Sequence, residues 1–397
     1  MEMGLNRKYD IDLITQRLIE HLINEDYKGY DPYDTLNSFL PFKYFGSFAQ
    51  AAAIQIQLRN PVNIRPLLGI KKEKGAKSLG LILHAYSVLY SFEPSEFLLK
   101  QMHLVFDMIK NMIRKDDRFS GYFWAVHYPL VLSGRSRSKF DPSSVLACFM
   151  FEGIFEFYRV TQDEDAKEVL LGISKFITSC IPTTVTDEGK CYSYTALRKD
   201  IIYNANSFVS EILAKCFYLT GDEKFKVESL QTIKFNMAHM RDDGSWSYRF
   251  YPETGKDKNQ IDFHQGFILN SINEALKYLN HSDRDIELKL EKAYSFYMNE
   301  QFTEDGKGLW RYPELFPIDI HNQAVGIIVF SRMFFDPEKS KERAKTILKY
   351  TLNNLYSEKK GIFYYQKRKL FTNKIDYFRW NQAWMLLALA YFKKMIK

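Results

Sequence analysis

The chain has 397 residues, with 55 Lys and Arg against 48 Asp and Glu, and a formal net charge of +7. Apolar residues make up 46% and charged residues 26%, a globular composition that excludes general disorder. So small a net charge over this length is too weak to indicate nucleic-acid binding, although it suits an anionic substrate.

Targeting and membrane signals are weak in this sequence. The opening stretch MEMGLNRKYDIDLITQRL is charged early and lacks the apolar core of a secretory signal. The longest apolar stretches, such as 385–392, are far shorter than the ~20 residues that span a bilayer. We therefore expect no integral membrane segment and a cytoplasmic location. The cysteines form no Cys-x-x-Cys pair, so we expect buried free thiols.

In chain order, the first predicted element is a helix at 10–25, followed by an irregular segment at 26–74. This segment contains GYDPYDTLNS at 29–38 and RNPVNIRPLLG at 59–69, which are rich in Pro, Gly and polar residues. We expect the segment to form a cap over a binding site.

Four charged residues of this cap segment have two interpretations. Asp31, Asp34, Arg59 and Arg65 could lie over the site, and arginine is suited to bidentate recognition of a carboxylate. On this interpretation Arg65 is a candidate substrate-binding residue. In the alternative, the two carboxylates pair with the two arginines in a purely structural cluster.

A repeat of about 57 residues organises the rest of the chain. Its glycine-aromatic segments are DEGKCYSY at 187–194, DDGSWSYR at 242–249, EDGKGLWRYP at 304–313 and EKKGIFYYQK at 358–367. Each is followed by a polar cluster that opens a helical stretch. The clusters begin at Asn204, Asp262, Asp319 and Asp376, spaced 58, 57 and 57 residues apart. Two looser units precede them, one opening at Asp141 and one at Lys74–Lys77.

Each unit predicts a helix, a short turn and a second helix. The predicted pairs are 204–219 with 222–240, 262–280 with 284–301, and 319–335 with 337–356. Such hairpins must stack to bury their apolar faces. Six of them close into a ring if the helix at 10–25 pairs with the last helix, 376–395. The sequence thus predicts an all-α, single-domain (α/α)6 toroid over 1–397 with the irregular cap at 26–74. An open helical solenoid is the alternative.

The geometry of such a ring predicts where a site would lie. The glycine-aromatic segments and the N-termini of the inner helices gather at one rim, where helix N-termini attract anions. Aromatic rings there would stack on sugar rings, and amides would bind hydroxyl groups. We therefore expect a pocket for a sugar or sugar acid at this rim.

The candidate catalytic residues are His264, His321, Tyr194, Tyr248 and Asp262. The histidines lie in the first turn of a predicted helix, where helix propensity does not favour them. Either of them could be a base and either tyrosine an acid. The alternatives are buried structural histidines and, for Asp262, a helix N-cap worth ~1 kcal/mol. The candidate substrate-binding residues, besides Arg65, are Arg379, Asn204, Asn206, Gln265, Asn322, Trp246, Trp310 and Trp380.

The segments GYDPYDTLNS, DDGSWSY and IDFHQGF resemble (α/α)-toroid carbohydrate-active proteins of a type found with surface-polysaccharide biosynthesis genes. More distant toroid relatives are glucuronyl C5-epimerases, heparinase-type lyases, N-acylglucosamine epimerases and unsaturated glucuronyl hydrolases. The resemblance implies the toroid fold along nearly the whole chain and an acidic glycan as substrate. No nucleotide-binding motif or HExxH motif occurs, so no cofactor or metal is expected.

Three functional hypotheses follow from the sequence. The first is an enzyme that acts on a uronate-containing glycan by epimerisation or β-elimination, with Arg379 and asparagines holding the carboxylate. The second is a glycoside hydrolase with two carboxylates drawn from Asp262, Asp319, Asp376 and Glu314. The third is a non-catalytic glycan-binding scaffold. The sequence does not predict the oligomeric state.

Overall fold

The structure is a computed structural model that describes residues 9–132, 135–137 and 141–397. Its α-helices are α1 (Ile11–Asn24), α2 (Gly46–Arg59), α3 (Ala76–Tyr90), α4 (Glu96–Asn111), α5 (Ser144–Thr161), α6 (Glu164–Cys180), α7 (Tyr203–Thr220), α8 (Glu223–Ala238), α9 (His264–Leu279), α10 (Arg284–Glu300), α11 (Ile320–Ser331), α12 (Pro337–Leu355) and α13 (Trp384–Ile396).

Six inner helices form a closed ring. Helices α3, α5, α7, α9, α11 and α13 contact one another in this order, and α13 contacts α3. Five outer helices, α4, α6, α8, α10 and α12, each pack on the inner helix that precedes them, and α1 packs on α13. The predicted (α/α)6 toroid, including its closure by the first and last helices, is confirmed. The assignment of 1–397 to one domain stays a prediction, and residues 1–8, 133–134 and 138–140 lie outside the described residues.

The two layers differ in burial as their sequences predict. The inner helix α3 is buried along nearly its whole length, whereas the outer helix α4 buries one stripe that includes Leu98, Met102, Val105 and Ile109. Glycine ends α7 as expected, because Gly221 adopts a left-handed φ of 71°.

The helix boundaries depart from the sequence prediction in two places. Helix α2 lies within the cap segment, which we had expected to be wholly irregular. The final helix α13 begins only at Trp384, because Phe378–Ala383 forms a π-helical turn ahead of it. This turn carries Arg379 and Trp380, both predicted site residues.

Short antiparallel strands connect the helices. They are β1 (Arg114–Asp116), β2 (Phe119–Phe123), β3 (Leu130–Leu132), β4 (Arg135–Arg137), β5 (Thr183–Thr186), β6 (Gly189–Tyr192), β7 (Ile201–Ile202), β8 (Arg249–Tyr251), β9 (Lys256–Lys258), β10 (Ile318–Asp319), β11 (Tyr356–Ser357), β12 (Ile362–Phe363), β13 (Gln366–Lys367) and β14 (Thr372–Asn373). The two-stranded pairs are β1–β2, β3–β4, β5–β6 and β11–β12, and the three-stranded sheets are β7–β8–β9 and β10–β13–β14.

The repeated glycines are required by their backbone and by a neighbouring helix. Gly244 has a φ of +90°, and a Cβ there would lie 2.8 Å from the carbonyl oxygen of Lys292 on α10. Gly306 repeats this arrangement against Thr346 of α12. The glycine-aromatic segments therefore pack each unit against the next outer helix.

A second repeated feature fastens each glycine-aromatic segment to the inner helix that follows it. The Gln265 side chain accepts a hydrogen bond from the N–H of Trp246 (2.8 Å) and donates one to its carbonyl oxygen (2.7 Å). Gln382 does the same with Phe363. Gln323 and Asn206 make equivalent bonds to the segments before α11 and α7. We call these four side chains the amide clamps.

Replacing Gln265 by alanine is expected to lower the free energy of unfolding by about 1–3 kcal/mol for each Trp246 backbone group left unpaired. Urea denaturation measures this loss. The matched control is Gln16→Ala on the exposed side of α1, which should change stability by less than about 0.5 kcal/mol. An unchanged stability together with weakened ligand binding would contradict the structural role of Gln265.

The other end of the ring holds a buried charged cluster. Lys215 of α7 lies at the centre and donates hydrogen bonds to Glu152 of α5 (2.5 Å) and Glu211 (2.8 Å). Nearby, Arg332 pairs with Glu274 of α9 at 3.1 Å. These residues lie between the middle of the inner helices and the residue just beyond their C-terminal ends, so they fill the ring on the side away from the predicted rim.

Candidate active site

A cavity of about 790 Å³ opens at the rim where the inner helices begin. Each of the six inner helices contributes a residue to the cavity wall, either from its first turn or from the residues just before it. These residues are Lys77, Ser143, Asn204, His264, His321 and Trp380. Helix α2 of the cap adds Gln55, Leu58 and Arg59 to the wall. The pocket predicted from the repeat therefore exists in the structure, and the cap segment helps to enclose it.

An aspartate–histidine pair lies in this cavity. His264 Nδ1 lies 2.5 Å from Asp262 Oδ1, and the backbone N–H of His264 donates to the same oxygen. Burial acts to raise the pKa of Asp262, but its interactions with His264 outweigh burial and hold the pKa below the usual value. Asp262 thus accepts a hydrogen bond from the first backbone N–H of the helix and also orients the imidazole. Because Nδ1 is engaged, His264 Nε2 is left for a ligand, and it has no hydrogen-bond partner among the described residues.

His321 occupies a different environment from His264. It is 1% exposed, and its ring lies among Phe263, Trp380 and Trp384, each with a centroid 4.5 Å away. Burial, followed by the charges of Lys77 and Arg379, holds the pKa of His321 well below its usual range. Both ring nitrogens lack a partner among the described residues. A neutral imidazole on the cavity wall can exchange hydrogen bonds with a ligand.

Lys77 is a functional candidate that sequence reasoning missed, since it was interpreted only as part of a helix start. Its Nζ lies 3.8 Å from the centroid of Phe149 and 5.6 Å from that of Trp384. Burial, followed by the Arg379 charge, holds the pKa of Lys77 well below its usual value. Its amino group forms no ion pair among the described residues, so a bound anion would be its natural partner.

The cavity wall is strongly basic. Its basic residues are Arg59, Lys77, Arg249, Lys258, Arg311, Arg368 and Arg379, whereas Asp262 is the carboxylate residue among the described lining residues. Focused positive charge of this kind attracts anionic ligands.

Several buried polar atoms around the cavity are unpaired within the described residues. They are Asn204 Oδ1, Arg249 Nε, Gln260 Oε1 and Arg368 Nε, in addition to the His321 nitrogens. Buried polar groups normally find partners, so this set is suited to a ligand rich in hydroxyl and carboxylate oxygens.

Four of the predicted aromatic or phenolic residues line the cavity. Tyr248 lies edge-on to His264, with ring centroids 4.9 Å apart, and Tyr194, Trp310 and Trp380 form other parts of the wall. Trp380 also donates from Nε1 to Asp319 at 2.8 Å, which fixes its ring. These rings supply apolar faces beside the basic groups.

Arg379 reaches the cavity but is already paired. Its Nε and Nη2 donate to the two carboxylate oxygens of Asp31 at 2.6 and 2.9 Å. Burial acts to raise the pKa of Asp31, but the Arg379 guanidinium outweighs it and holds the pKa below the usual value. Arg379 therefore lines the cavity with its guanidinium already paired, and its role in binding a substrate carboxylate stays a prediction.

Five predicted substrate-binding residues do not reach the cavity wall. Asn206 and Gln265 are amide clamps, and Trp246 is fully buried with its Nε1 donating to the Asn236 carbonyl oxygen. The Asn322 Nδ2 is bound to the Leu309 carbonyl oxygen at 2.6 Å. These side chains are held by backbone hydrogen bonds or by packing, so the structure does not bring them to the cavity wall.

Arg65 is the fifth of these residues. It is completely buried, and its Nε donates to Asp34 Oδ1 at 2.7 Å. The structural alternative for the cap is therefore correct for Arg65 and Asp34, but Asp31 pairs with Arg379 rather than with a cap arginine. Arg59, in contrast, lies on the cavity wall.

The carboxylates proposed for a hydrolase are not brought together. Asp319 is fully buried and accepts bonds from the His321 N–H, Trp380 and Gln366, and burial raises its pKa to about 6. Asp376 pairs with His21 in a separate cavity, and Glu314 is exposed on a loop. Asp262 lines the main cavity without a second carboxylate from this set.

The described part of the chain contains no candidate cluster of metal ligands and no candidate membrane span. No three His, Cys, Asp or Glu residues within it are grouped so that they could hold a metal ion. None of its helices is both long and apolar enough to cross a bilayer.

No family model matches the sequence, and no curated protein matches it. Solved structures match at the level of fold. A cellobiose 2-epimerase from Bacillus thermoamylovorans has a TM-score of 0.65 and 16% identity, covering 82% of this chain and 90% of its own. A cellobiose 2-epimerase from Spirochaeta thermophila has a TM-score of 0.65 and 11% identity over 100% of both chains.

An unsaturated glucuronyl hydrolase specific for heparin has a TM-score of 0.62 and 15% identity, covering 97% of each chain. A GH76 α-mannanase and a D-mannose isomerase are also similar in structure. These neighbours are (α/α)6 toroid enzymes of carbohydrate chemistry, as the sequence resemblance implied. The shared feature at these identities is the fold, and this chain therefore has the (α/α)6 toroid fold of carbohydrate-active enzymes.

Proposed function

We propose that this protein is a carbohydrate-active enzyme that moves a proton on an acidic, uronate-containing sugar, by epimerisation or β-elimination. The observation that carries the proposal is the Asp262–His264 pair, whose Nε2 remains available in a cavity lined by cationic side chains. Removal of a proton beside a carboxylate requires a base together with positive charge near that carboxylate.

The roles in the proposed reaction follow from the environments of the groups. His264 Nε2 takes the proton, and Asp262 stabilises the imidazolium that forms. Tyr248, beside His264, or Tyr194 acts as the acid. His321 is held neutral by burial, so it serves as a hydrogen-bonding group or as the second proton carrier on the other face of the sugar.

Carboxylate recognition is assigned to Lys77, with Arg249 and Arg368 as further donors. Lys77 lies among aromatic faces, where a charge-assisted hydrogen bond is stronger than in water. The rings of Trp310 and Trp380 provide stacking surfaces for the sugar. The proposed setting in polysaccharide biosynthesis rests on the sequence resemblance alone.

Two alternatives receive less support. A hydrolase with two carboxylates would need a partner for Asp262 across the cavity, and Asp319, Asp376 and Glu314 are each engaged or located elsewhere. A glycan-binding scaffold would not need an oriented histidine whose Nε2 is left for a ligand.

The test of the proposed function is solvent exchange. The purified protein is incubated in deuterated water with uronate-containing oligosaccharides and with their neutral counterparts. Deuterium uptake at the carbon beside the carboxylate is the expected result, and absorbance from a new carbon–carbon double bond would identify elimination. Saturable binding without exchange or elimination would favour the scaffold, and release of reducing ends alone would favour the hydrolase.

Binding of an acidic oligosaccharide is expected to take up a proton at Lys77. Burial disfavours the charged amine in the free protein, whereas a bound carboxylate favours it, so the pKa of Lys77 rises on binding. Affinity should therefore fall as the pH rises between the free and bound pKa values, by up to about tenfold per pH unit. Calorimetry in two buffers of different ionisation enthalpy measures the proton uptake directly.

The Lys77→Met variant should lose this pH dependence. Lys258→Met is the matched control, because Lys258 lies on the same cavity wall but is exposed, and it should keep the dependence. Equal pH dependence in the native protein and the Lys77→Met variant would contradict the assignment.

A further inference from the structure

The cap segment carries a concentration of exposed large apolar side chains. Those between residues 39 and 67 are Phe39 (70% exposed), Leu40, Tyr44, Phe45, Phe48 (87%), Ile56 (70%), Val62 and Leu67 (79%). Scattered single apolar residues are normal on a protein surface, but a contiguous group marks an interaction site. We call this group the apolar cap surface.

Helix α2 presents two opposite faces. Phe48 and Ile56 lie on the exposed face, with Phe45 just before the helix, while Ile54 and Gln57 are buried on the other face. The exposed face therefore carries one large apolar side chain near each end of the helix, with the small side chain of Ala52 between them.

The neighbouring loops extend this exposed face. The Phe39 N–H is bound to the Leu68 carbonyl oxygen, and the Asn373 Nδ2 is bound to the Asn60 carbonyl oxygen. This second contact brings the β13–β14 turn beside the cap, and the turn adds Leu370, which is 94% exposed, and Phe371. The surface thus spans one helix and two loops that are held together by hydrogen bonds.

Within the two segments that carry this surface, the charged residues have one sign. No Asp or Glu occurs from residue 35 to 72 or from residue 359 to 375. The exposed basic residues in these ranges are Arg59, Lys71, Lys72, Lys359, Lys360, Lys369 and Lys374. Exposed Phe, Tyr and Leu combined with basic residues and no carboxylates are characteristic of segments that lie in the interface of an anionic membrane. A protein partner would not by itself require the exclusion of acidic residues.

We propose that the apolar cap surface binds the surface of a membrane that contains acidic lipids, with α2 lying in the interfacial plane. The mouth of the cavity is then beside the membrane, because Gln55, Leu58 and Arg59 of the same helix form part of the cavity wall. The proposal is independent of the sugar chemistry, since its test contains no glycan.

The test is sedimentation of the full chain with lipid vesicles, either phosphatidylcholine alone or phosphatidylcholine mixed with phosphatidylserine. The protein should bind the mixed vesicles several-fold more tightly, and added salt should weaken this binding. The double variant Phe48→Ser/Ile56→Ser should reduce partitioning about tenfold or more. Both replaced side chains are exposed, and circular dichroism checks that the fold is unchanged.

The matched control is Val185→Ser/Val227→Ser, which removes two exposed apolar side chains outside the cap, 71% and 56% exposed. This control should bind vesicles like the native chain. Equal vesicle binding by the Phe48→Ser/Ile56→Ser variant, or no binding to either vesicle, would overturn the proposal. A native dimer that the same variant converts to monomer, without vesicle binding, would also overturn it and assign the surface to contact between two copies.

Discussion

Replacement of His264 by alanine is expected to lower the rate of solvent exchange on an acidic oligosaccharide by about 10²–10⁴-fold. The imidazole Nε2 would no longer be present to take the proton, whereas the cationic side chains that attract the carboxylate remain. Affinity should therefore change little, so the loss should appear in turnover. Deuterium incorporation followed by mass spectrometry measures the rate, and calorimetry measures the affinity.

Two further variants define the role of His264. Asp262→Asn keeps the size of the side chain but removes the charge that orients and stabilises the imidazolium, so the rate should fall by at least about tenfold. His103→Ala, on the exposed side of outer helix α4, is the matched histidine control and should exchange at the native rate. Native exchange in the His264→Ala variant would assign the base to His321 or Tyr248 instead.

Replacement of Lys215 by methionine is expected to lower the free energy of unfolding by about 3–5 kcal/mol. The variant keeps a side chain of similar length but leaves Glu152 and Glu211 buried without their shared cation. Urea denaturation followed by circular dichroism measures the change. Because Lys215 lies at the end of the ring opposite the cavity, ligand affinity of the folded variant should be unchanged.

Two further variants distinguish the loss of the buried charge at Lys215 from a change in side-chain packing. Lys226→Met removes a half-buried surface cation that faces Glu223 on the same helix, and it should cost no more than about 1 kcal/mol. The triple variant Lys215→Met/Glu152→Gln/Glu211→Gln should recover much of the lost stability, since no buried charge of the trio then remains. A triple variant as unstable as Lys215→Met alone would contradict the electrostatic explanation.

The fold could be predicted from the sequence because its signal is periodic. Four of the six units repeat the same requirement, a glycine that approaches the next outer helix and an amide side chain that clamps the preceding turn. Gln265 and Asn206 were noticed for this reason, yet they were assigned to substrate. A repeated polar residue at a helix start has the same appearance in sequence whether it binds backbone or ligand, and only the position of its partner distinguishes the two.

The site could be predicted only in part, because some of its side chains pair with residues that are far away in the sequence. Arg379 and Asp31 are 348 residues apart, so no local pattern shows that the arginine is already neutralised. Lys77 was missed for the opposite reason, since a lysine at a helix start usually points to solvent, and its burial depends on Phe149 and Trp384 from two other units. Helix α2 was missed because it lies within a segment rich in proline and glycine, which indicates irregular structure.

Ring closure also has a consequence for folding, because it determines the order in which the helices can pack together. An open solenoid can grow from one end, because each repeat rests only on its neighbours. Here Leu18 and Leu22 of α1 are buried in the layer that packs on α13, and α13 completes the contact with α3. During synthesis α1 is made first, but it can pack on α13 only after α13 has been made. The contacts of the longest sequence separation therefore form last. Removal of the C-terminal helix would therefore open the ring at two places at once.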